Sequence, residues 1–321
     1  MEIQWALVLF TVVSGAGAWL FAFSMLSSLF KKDEAPSKME TIVAFVLVAV
    51  GGCMSVMHLS HVDRILEALN HPTSGIFIEA AMIGVLCVIL AVYFIMLVRG
   101  TSKKARTAVG ILGLLVGMVF TYACGSSYMM EARPAWQTVA LPLAYFGTAA
   151  AAGSGLNLLL KAAQKRTDEA VSFAGLMAVA GGALGAVLAA AFCVITGSYV
   201  AASDNGAIAW AVALFVALAA VIASGAVVLK QPKNALALGT IALAAGLVAA
   251  VALRVALWPI APPLLDSFLM ALHYPDSGLR SPPHPPPPPR IGGCIPMRGG
   301  GNETRRSRSA PNANNERGPA P

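Results

Sequence analysis

Residues 53–82 read CMSVMHLSHVDRILEALNHPTSGIFIEAAM, and the rest of the chain is organised around this stretch. It joins two apolar segments at one face of a membrane, and the turn between them holds ionisable residues that are scarce elsewhere. His58 closes the first apolar segment. Glu79 lies about one turn inside the second, where a carboxylate indicates either a function or a structural interaction with the amino terminus of its helix. This turn is therefore the first candidate for a functional site.

The residues between the two apolar segments have the spacing of a short amphipathic helix. Four apolar residues fall at positions i, i+3, i+4 and i+7, with polar side chains on the opposite side. Such a helix suits a membrane interface, with its apolar side toward the lipid. The apolar residues are Val62, Ile65, Leu66 and Leu69, and the polar residues are Asp63, Arg64, Glu67 and Asn70.

The composition of the chain is that of a multi-pass membrane protein. Of its 321 residues, 57% are hydrophobic and 12% are charged, against about 25% charged in ordinary soluble domains. A helix needs about 20 apolar residues to cross a bilayer, and by this test we count eight segments. The sequence therefore predicts an all-α fold, a polytopic bundle of eight transmembrane helices. The segments run roughly from Trp5 to Phe30, Thr41 to His58, Gly75 to Val98, Ala108 to Cys124, Val139 to Leu160, Val171 to Gly197, Ala207 to Leu229 and Ala235 to Leu257.

The sequence divides into three parts. We predict a membrane domain over residues 1–258, a short interfacial segment over 259–274, and a disordered Pro-, Gly- and Arg-rich tail over 275–321. The first apolar segment has no basic amino-terminal region and no clear cleavage site, so we interpret it as a retained helix rather than a signal peptide. The net charge of +7 comes from the seven arginines after Trp258, which face four acids, and from short loops. It therefore indicates membrane topology and lipid contact, and no nucleic-acid partner.

The loops predict the orientation of the bundle. Twelve Lys and Arg residues follow the first, third, fifth and seventh segments, whereas only Arg64 and Arg133 follow the second, fourth and sixth. Basic loops favour the cytoplasmic side. We therefore predict a protein of the cytoplasmic (cell) membrane whose amino terminus, carboxyl terminus and His58–Glu79 turn lie on the outer side.

Aromatic residues concentrate at the predicted outer ends of the helices. An aromatic belt explains such residues at any interface, but a belt occupies both faces of the membrane. The one-sided excess also fits an aromatic ligand or a docked protein, and both interpretations stay open. The residues are Trp5, Trp136, Trp210, Trp258, Tyr122, Tyr128 and Tyr199, with Trp19 as the exception.

The cysteines and histidines argue against a metal centre carried by this chain. The five cysteines are scattered singly, with no CxxC spacing for an iron–sulfur cluster or zinc site. A haem inside the membrane needs ligands such as histidines on facing helices, and no two histidines have that placement. We therefore expect neither haem nor bound metal. The residues are Cys53, Cys87, Cys124, Cys193 and Cys294, and His58, His61, His71, His273 and His284.

Two functions remain open on this basis. A secondary transporter or permease is expected to have broken helices or charges near the bilayer midplane, and the sequence has no midplane charge. A quinol site needs an apolar slot, hydrogen-bond partners for two ring oxygens, and groups that accept protons. Histidine titrates near neutrality, and a carboxylate is a suitable general base. The residues available near the outer surface are His58, Arg64, Glu79, Tyr128, Arg133, Trp136 and Arg254.

Four sequence segments resemble one family. WALVLFTVVSGAGAW at 5–19, MHLSHVDRILEALN at 57–70, IFIEAA at 76–81 and YMMEARPAW at 128–136 are similar to the membrane anchor subunit of dimethyl sulfoxide reductase, the DmsC type. The likeness covers about residues 1–258, with matching helix number. Its best motif is a histidine–leucine pair, a short amphipathic segment with an arginine, and a glutamate just inside the third helix.

The resemblance implies a subunit that holds no haem and oxidises menaquinol to menaquinone near the outer surface. Such a subunit passes electrons to an iron–sulfur subunit and on to a molybdopterin catalytic subunit. The family's quinol-site histidine, arginine and glutamate would correspond to His58, Arg64 and Glu79. Two departures are visible, since Ser60 replaces the glycine of the family's HLG and Ser126 stands where an arginine is expected.

Overall fold

The computed structural model describes residues 3–33, 36–57, 73–203 and 205–260. These residues form nine α-helices and no strand, and eight of the helices are long and apolar enough to cross a membrane. The predicted all-α fold with eight membrane-spanning helices is confirmed. The helices are α1 (Trp5–Leu29), α2 (Lys38–Val56), α3 (Gly75–Val98), α4 (Lys103–Ser126), α5 (Ala140–Ala163), α6 (Asp168–Ile195), α7 (Gly197–Ala202), α8 (Asn205–Lys230) and α9 (Ala235–Ala256).

Several predicted features lie outside the described residues. They include the amphipathic segment at 62–69, all five histidines, Arg64 and the tail at 275–321. The sequence analysis did not predict the short helix α7 or the 3₁₀ turns Pro134–Trp136 and Pro232–Asn234. Each of these is a few residues long, so hydropathy over a membrane-length window does not detect it.

Hydroxyl side chains fix where the helices begin. Ser37 caps α2 in a reciprocal capping box with Glu40, and Ser74 accepts a hydrogen bond from the Phe77 N–H at the start of α3. Such caps satisfy backbone N–H groups that have no partner within the helix. The Ser74 cap sets the position of Glu79 in the second turn of α3.

Helices α1 and α5 form the centre of the bundle. Within their most apolar windows 78% of α1 and 83% of α5 is buried, against 22% of α3. Small residues on α5 allow this packing: a Cβ added at Gly155 would lie 2.6 Å from the backbone of Ala242 on α9, and one at Gly153 would lie 2.3 Å from Trp19 Cβ on α1. Close approach of helices through glycine is typical of membrane bundles.

A buried ion cluster joins the ends of α1, α2 and α5. Lys161 Nζ lies 2.5 Å from Asp33 Oδ2 and 2.8 Å from Glu40 Oε1, and both Lys161 and Glu40 are fully buried. Arg166 Nη1 lies 3.5 Å from Asp33 Oδ1. We call this the Lys161 end of the bundle, and the opposite end, where α3 begins and α9 finishes, the Glu79 end. Its position among basic residues predicts a loop for Lys161, whereas the structure places it in the last turn of α5.

Candidate functional site

The structure describes five of the seven predicted site residues. Glu79, Tyr128, Arg133, Trp136 and Arg254 all lie at the Glu79 end of the bundle. The other two, His58 and Arg64, lie outside the described residues. Their assignment to the site therefore remains a prediction.

Glu79 is buried against the end of α4. Its side chain is 7% exposed and is hydrogen-bonded to the Ser127 hydroxyl. Helix α3 reaches this position because Gly75 has no side chain: a Cβ there would lie 2.9 Å from Ser127 Oγ. A buried carboxyl group with one neutral partner is suited to taking up a proton.

Arg254 occupies the last turn of α9 and is 2% exposed. Its Nε donates to Thr11 Oγ1 at 2.6 Å, and its Nη1 donates to Ala250 O at 2.8 Å and Thr148 Oγ1 at 3.3 Å. The guanidinium carbon lies 4.2 Å from the centroid of the Tyr145 ring, within the range of a cation–π contact. Three helices therefore hold this cation in one orientation.

Two tyrosines lie within electrostatic range of both Glu79 and Arg254. The ring centroids of Tyr128 and Tyr145 are 5.4 Å apart, and the two side chains are hydrogen-bonded to each other. Burial raises the pKa of Tyr128 well above its ordinary value, and the charges of Tyr145 and Glu79 raise it further while Arg254 opposes them. Tyr128 therefore keeps its proton at neutral pH and can donate a hydrogen bond.

Two tryptophans complete the aromatic surface. The 3₁₀ turn Pro134–Trp136 buries Trp136, whose Nε1 donates to Leu257 O at 3.0 Å. Trp136 meets Trp258 edge to face at 5.6 Å and Tyr128 at 6.1 Å. Arg133 lies over Trp136 with its guanidinium carbon 4.4 Å from the ring centroid, and partial burial lowers the pKa of Arg133 from its ordinary value. Arginine nevertheless keeps its charge at neutral pH.

The two tyrosines, Trp136, Trp258 and Arg254 line a cleft at the Glu79 end, which we call the aromatic cleft. In this conformation they fill it so closely that no space for a water molecule remains between them. Glu79 and Arg133 do not line the cleft, although the charge of Glu79 affects Tyr128. The lining residues are Leu7, Val8, Tyr128, Trp136, Tyr145, Arg254, Leu257 and Trp258.

The sequence analysis did not identify Tyr145, Thr11, Thr148 or Ser127 as site residues. Tyr145 has the clearest signal in hindsight, because a tyrosine on the second turn of a span at the aromatic-rich end belongs to the same group as Tyr128. The hydroxyl residues have no such signal, since a threonine or serine in a membrane helix commonly bonds to its own backbone. The site is therefore better described as Glu79 beside an aromatic cleft than as a pocket lined by all the predicted residues.

Some of the tryptophans are exposed and others are buried. This difference bears on whether the aromatic excess is a membrane belt or a binding surface. Trp5 is 51% exposed and Trp210 is 37% exposed on the surface of the bundle, as a belt requires. Trp136, in contrast, is 2% exposed and bonded to α9 within the cleft. Trp136 therefore does not belong to an exposed belt, and the ligand interpretation stays a prediction for the residues of the cleft.

Two comparisons with known proteins agree on one family. A family model described as DMSO reductase anchor subunit (DmsC) matches residues 1–256. A relative from Haemophilus influenzae (strain ATCC 51907 / DSM 11121 / KW20 / Rd), named as one of the chains of anaerobic dimethyl sulfoxide reductase, is 26% identical over 167 residues. That alignment covers 50% of this protein and 60% of the relative.

Proposed function

This chain belongs to the DMSO reductase anchor subunit (DmsC) family, and from this premise we propose that it oxidises menaquinol at the aromatic cleft and passes the electrons to partner subunits. The partners in this proposal are an iron–sulfur subunit and, beyond it, a molybdopterin catalytic subunit. The chain itself is a multi-pass membrane protein. It would thus supply both the attachment to the membrane and the point where electrons enter the complex.

One arrangement supports this proposal above the others. A hydrogen-bonded tyrosine pair contacts a buried guanidinium group, lies within electrostatic range of a buried carboxyl group, and packs against the Trp136 ring. A quinol has a flat ring with an oxygen at each side, so it needs stacking surfaces and hydrogen-bond partners at both oxygens. The aromatic cleft offers both kinds of contact within one site.

The oxidation of a quinol releases two electrons and two protons. In our proposal Glu79 accepts one proton and water on the outer side accepts the other, Tyr128 hydrogen-bonds a ring oxygen, and His58, in the segment between α2 and α3, helps to bind the ring. The electrons go to the iron–sulfur subunit, for which the proposal requires a docking surface near the Glu79 end. We propose that this end faces the outer side of the membrane, because the basic loops follow the opposite ends of the helices.

The closed cleft implies a movement on binding. A ring enters only if a lining side chain turns away, and Tyr128 is a lining residue on which the charge of Glu79 acts. Rotamer changes of this size are common when a protein binds a ligand. We propose that Tyr128 turns aside when the ring enters, which would bring the quinol hydroxyl and the Glu79 carboxyl group together.

A permease function has less support. Each of the buried charged side chains among the described residues lies within two turns of a helix end: Glu40 and Lys161 at one end of the bundle, Glu79 and Arg254 at the other. A transport site of the usual kind places its polar groups near the midplane, on interrupted helices. No observation on this chain favours that arrangement.

The Glu79→Gln variant tests the proposed function. The amide keeps the size of the side chain and its hydrogen bond to Ser127 but removes the base. We expect the complex to assemble, quinol-dependent turnover to fall by about 100-fold or more, as for loss of a general base, and turnover driven by a reduced viologen dye to persist. Glu131→Gln is the matched control, because Glu131 is an exposed acid in the Tyr128–Trp136 loop. Full quinol oxidation by Glu79→Gln would show that the carboxyl group is only structural.

A further inference from the structure

Arg254 is a buried cation whose hydrogen-bond partners are all neutral. Its three nitrogens contact the Thr11 and Thr148 hydroxyls and the carbonyl oxygens of Thr11 and Ala250. No aspartate or glutamate in the described part of the chain forms an ion pair with it. Lys161, the other buried cation, contacts two carboxylates. The buried positive charge therefore has carboxylate partners at the Lys161 end and neutral partners at the Glu79 end.

The groups that face Arg254 come from α1, α4, α5 and the loop after α4. They are the hydroxyls of Thr11 and Thr148, the thiol of Cys124, and the rings of Tyr145 and Tyr128. All are uncharged at neutral pH. Glu79 is a buried carboxyl group at the same end of the bundle and acts on both tyrosines, but it forms no ion pair with the guanidinium. Arg133, which lies over Trp136 and Trp258, adds a second positive charge at the rim.

Arg254 also lines the aromatic cleft, beside the rings that would hold a ligand. A charge removed from water without an opposite charge is costly, and an anion placed nearby in a medium of low dielectric recovers part of that cost. The guanidinium cannot lose its proton to avoid the cost, as a lysine can. An anionic ring in the cleft would therefore gain an electrostatic attraction that a neutral ring of the same shape lacks.

We propose that the aromatic cleft selects ring ligands that carry a negative charge, and that Arg254 is the residue that makes this selection. The chemical class is a hydroxyquinone ionised at neutral pH, or a quinol that has lost its first proton. This inference rests on the proposed function for the location of the ring. It adds that Arg254 favours the deprotonated ring once Glu79 has taken the proton and become neutral.

A pair of matched probes tests the selection by binding alone. The first is a 2-hydroxy-3-alkyl-1,4-naphthoquinone, which is anionic at neutral pH, and the second is its neutral 2-methyl ether. Both quench tryptophan fluorescence, and Trp136 and Trp258 lie in the cleft. After correction for partition into empty micelles, the wild-type protein should bind the anion about tenfold more tightly at pH 7, a difference of about 1.4 kcal/mol. Equal affinities would overturn the proposal.

Variants at Arg254 assign the effect to one residue. Arg254→Gln should bind the neutral probe with nearly unchanged affinity, which shows that the cleft is intact, and should lose most of the preference for the anion. Arg254→Lys places an amine that can lose its proton when it is buried, so this variant should keep less of the preference than the wild-type protein. Arg133→Gln removes a cation from the rim rather than the lining and should have a smaller effect. An anion preference that survives in Arg254→Gln would overturn the assignment. If Arg254→Gln does not accumulate in the membrane, the proposal is tested by the ratio of the affinities for the two probes, compared between the wild-type protein and Arg254→Lys.

The Glu79→Gln variant separates this inference from the proposed function. It removes a negative charge that acts on Tyr128 in the cleft, so the preference for the anionic probe should persist or increase. Persistence of the preference with normal quinol turnover would refute the role of Glu79 and leave the selection by Arg254 intact. If Glu79→Gln loses quinol turnover and the wild-type protein binds the two probes equally, the role of Glu79 would be supported and selection by Arg254 would be refuted.

Discussion

At the scale of single residues, Tyr145 connects the two halves of the site. Its ring contacts the Arg254 guanidinium, and its side chain is hydrogen-bonded to Tyr128. Tyr145→Phe keeps the ring and the cation–π contact but leaves Tyr128 without this partner. The loss of a buried hydrogen bond is worth about 1–3 kcal/mol, so we expect quinol-dependent turnover to fall by about fivefold or more. Dye-driven turnover should not change. Tyr122→Phe, at a half-exposed position on α4, is the control, and an equal effect of the two variants would contradict the role of Tyr145.

The residues also show what a sequence can reveal about such a site. Glu79 and Arg254 were predicted because an ionisable residue inside an apolar segment is conspicuous. Thr11 and Thr148 were not, because their contacts with Arg254 join α9 to α1 and α5 and depend on how the three helices pack. Lys161 was assigned to a loop by its position near other basic residues, and only the fold shows its contacts with Asp33 and Glu40. A sequence shows which residues are charged, but often not which residues they contact.

At the scale of helices, the Lys161 cluster holds the ends of α1, α2 and α5 together. Lys161→Met would leave Glu40 and Asp33 without their shared buried cation, although Arg166 still lies near Asp33. Removing one partner of a buried ion pair costs about 3–5 kcal/mol, so we expect a large loss of thermal stability in detergent. Lys165→Met, at an exposed position next to the same helix end, should have almost no effect. The double variant Lys161→Met with Glu40→Gln should recover part of the loss, and a failure to recover would mean that charge imbalance is not the cause.

Close packing of α5 against α9 gives a second prediction at this scale. A Cβ at Gly155 would lie 2.6 Å from the Ala242 backbone, whereas a Cβ at Gly84 on α3 meets nothing within 4 Å. Gly155→Ala should therefore force the helices apart and destabilise the bundle by about 1–3 kcal/mol, as overpacking does elsewhere. Gly84→Ala should be neutral or slightly stabilising, because alanine is the better helix former. Thermal unfolding in detergent compares the two, and equal stability would show that α5 and α9 can separate without cost.

The helices themselves were predictable for a simple reason. A bilayer fixes the minimum length of a span and removes water from its surroundings, so hydropathy alone detects each one. The prediction for α3, Gly75 to Val98, matches its observed bounds. The ends of α4 and α6 extend beyond their predictions by several residues, to Lys103 and Asp168. Those end turns carry charged side chains and lie next to the Ser102 and Thr167 caps, so a hydropathy window stops short of them.

At the scale of the whole molecule, orientation decides where the proposed quinol oxidation would release its protons. The loop asymmetry counted twelve basic residues against two, and the structure removes Lys161 from that count because its charge is buried with Asp33 and Glu40. Eleven basic residues remain on the Lys161 end of the bundle. A basic excess of this size still predicts that this end is cytoplasmic. The aromatic cleft and Glu79 would then lie toward the outer side.

Reporter fusions at three positions test this orientation. Fusions of a fluorescent protein after Lys104 or Lys165 should be bright, and fusions of alkaline phosphatase after Gln137 should be active, since the first folds in the cytoplasm and the second outside it. Exchanging the two reporters at each position is the internal control, because a true topology gives opposite signals. A phosphatase-active fusion after Lys104 together with a fluorescent one after Gln137 would show that the orientation is the reverse of the predicted one. The quinol site would then release its protons into the cytoplasm, and the iron–sulfur partner would have to dock on that side.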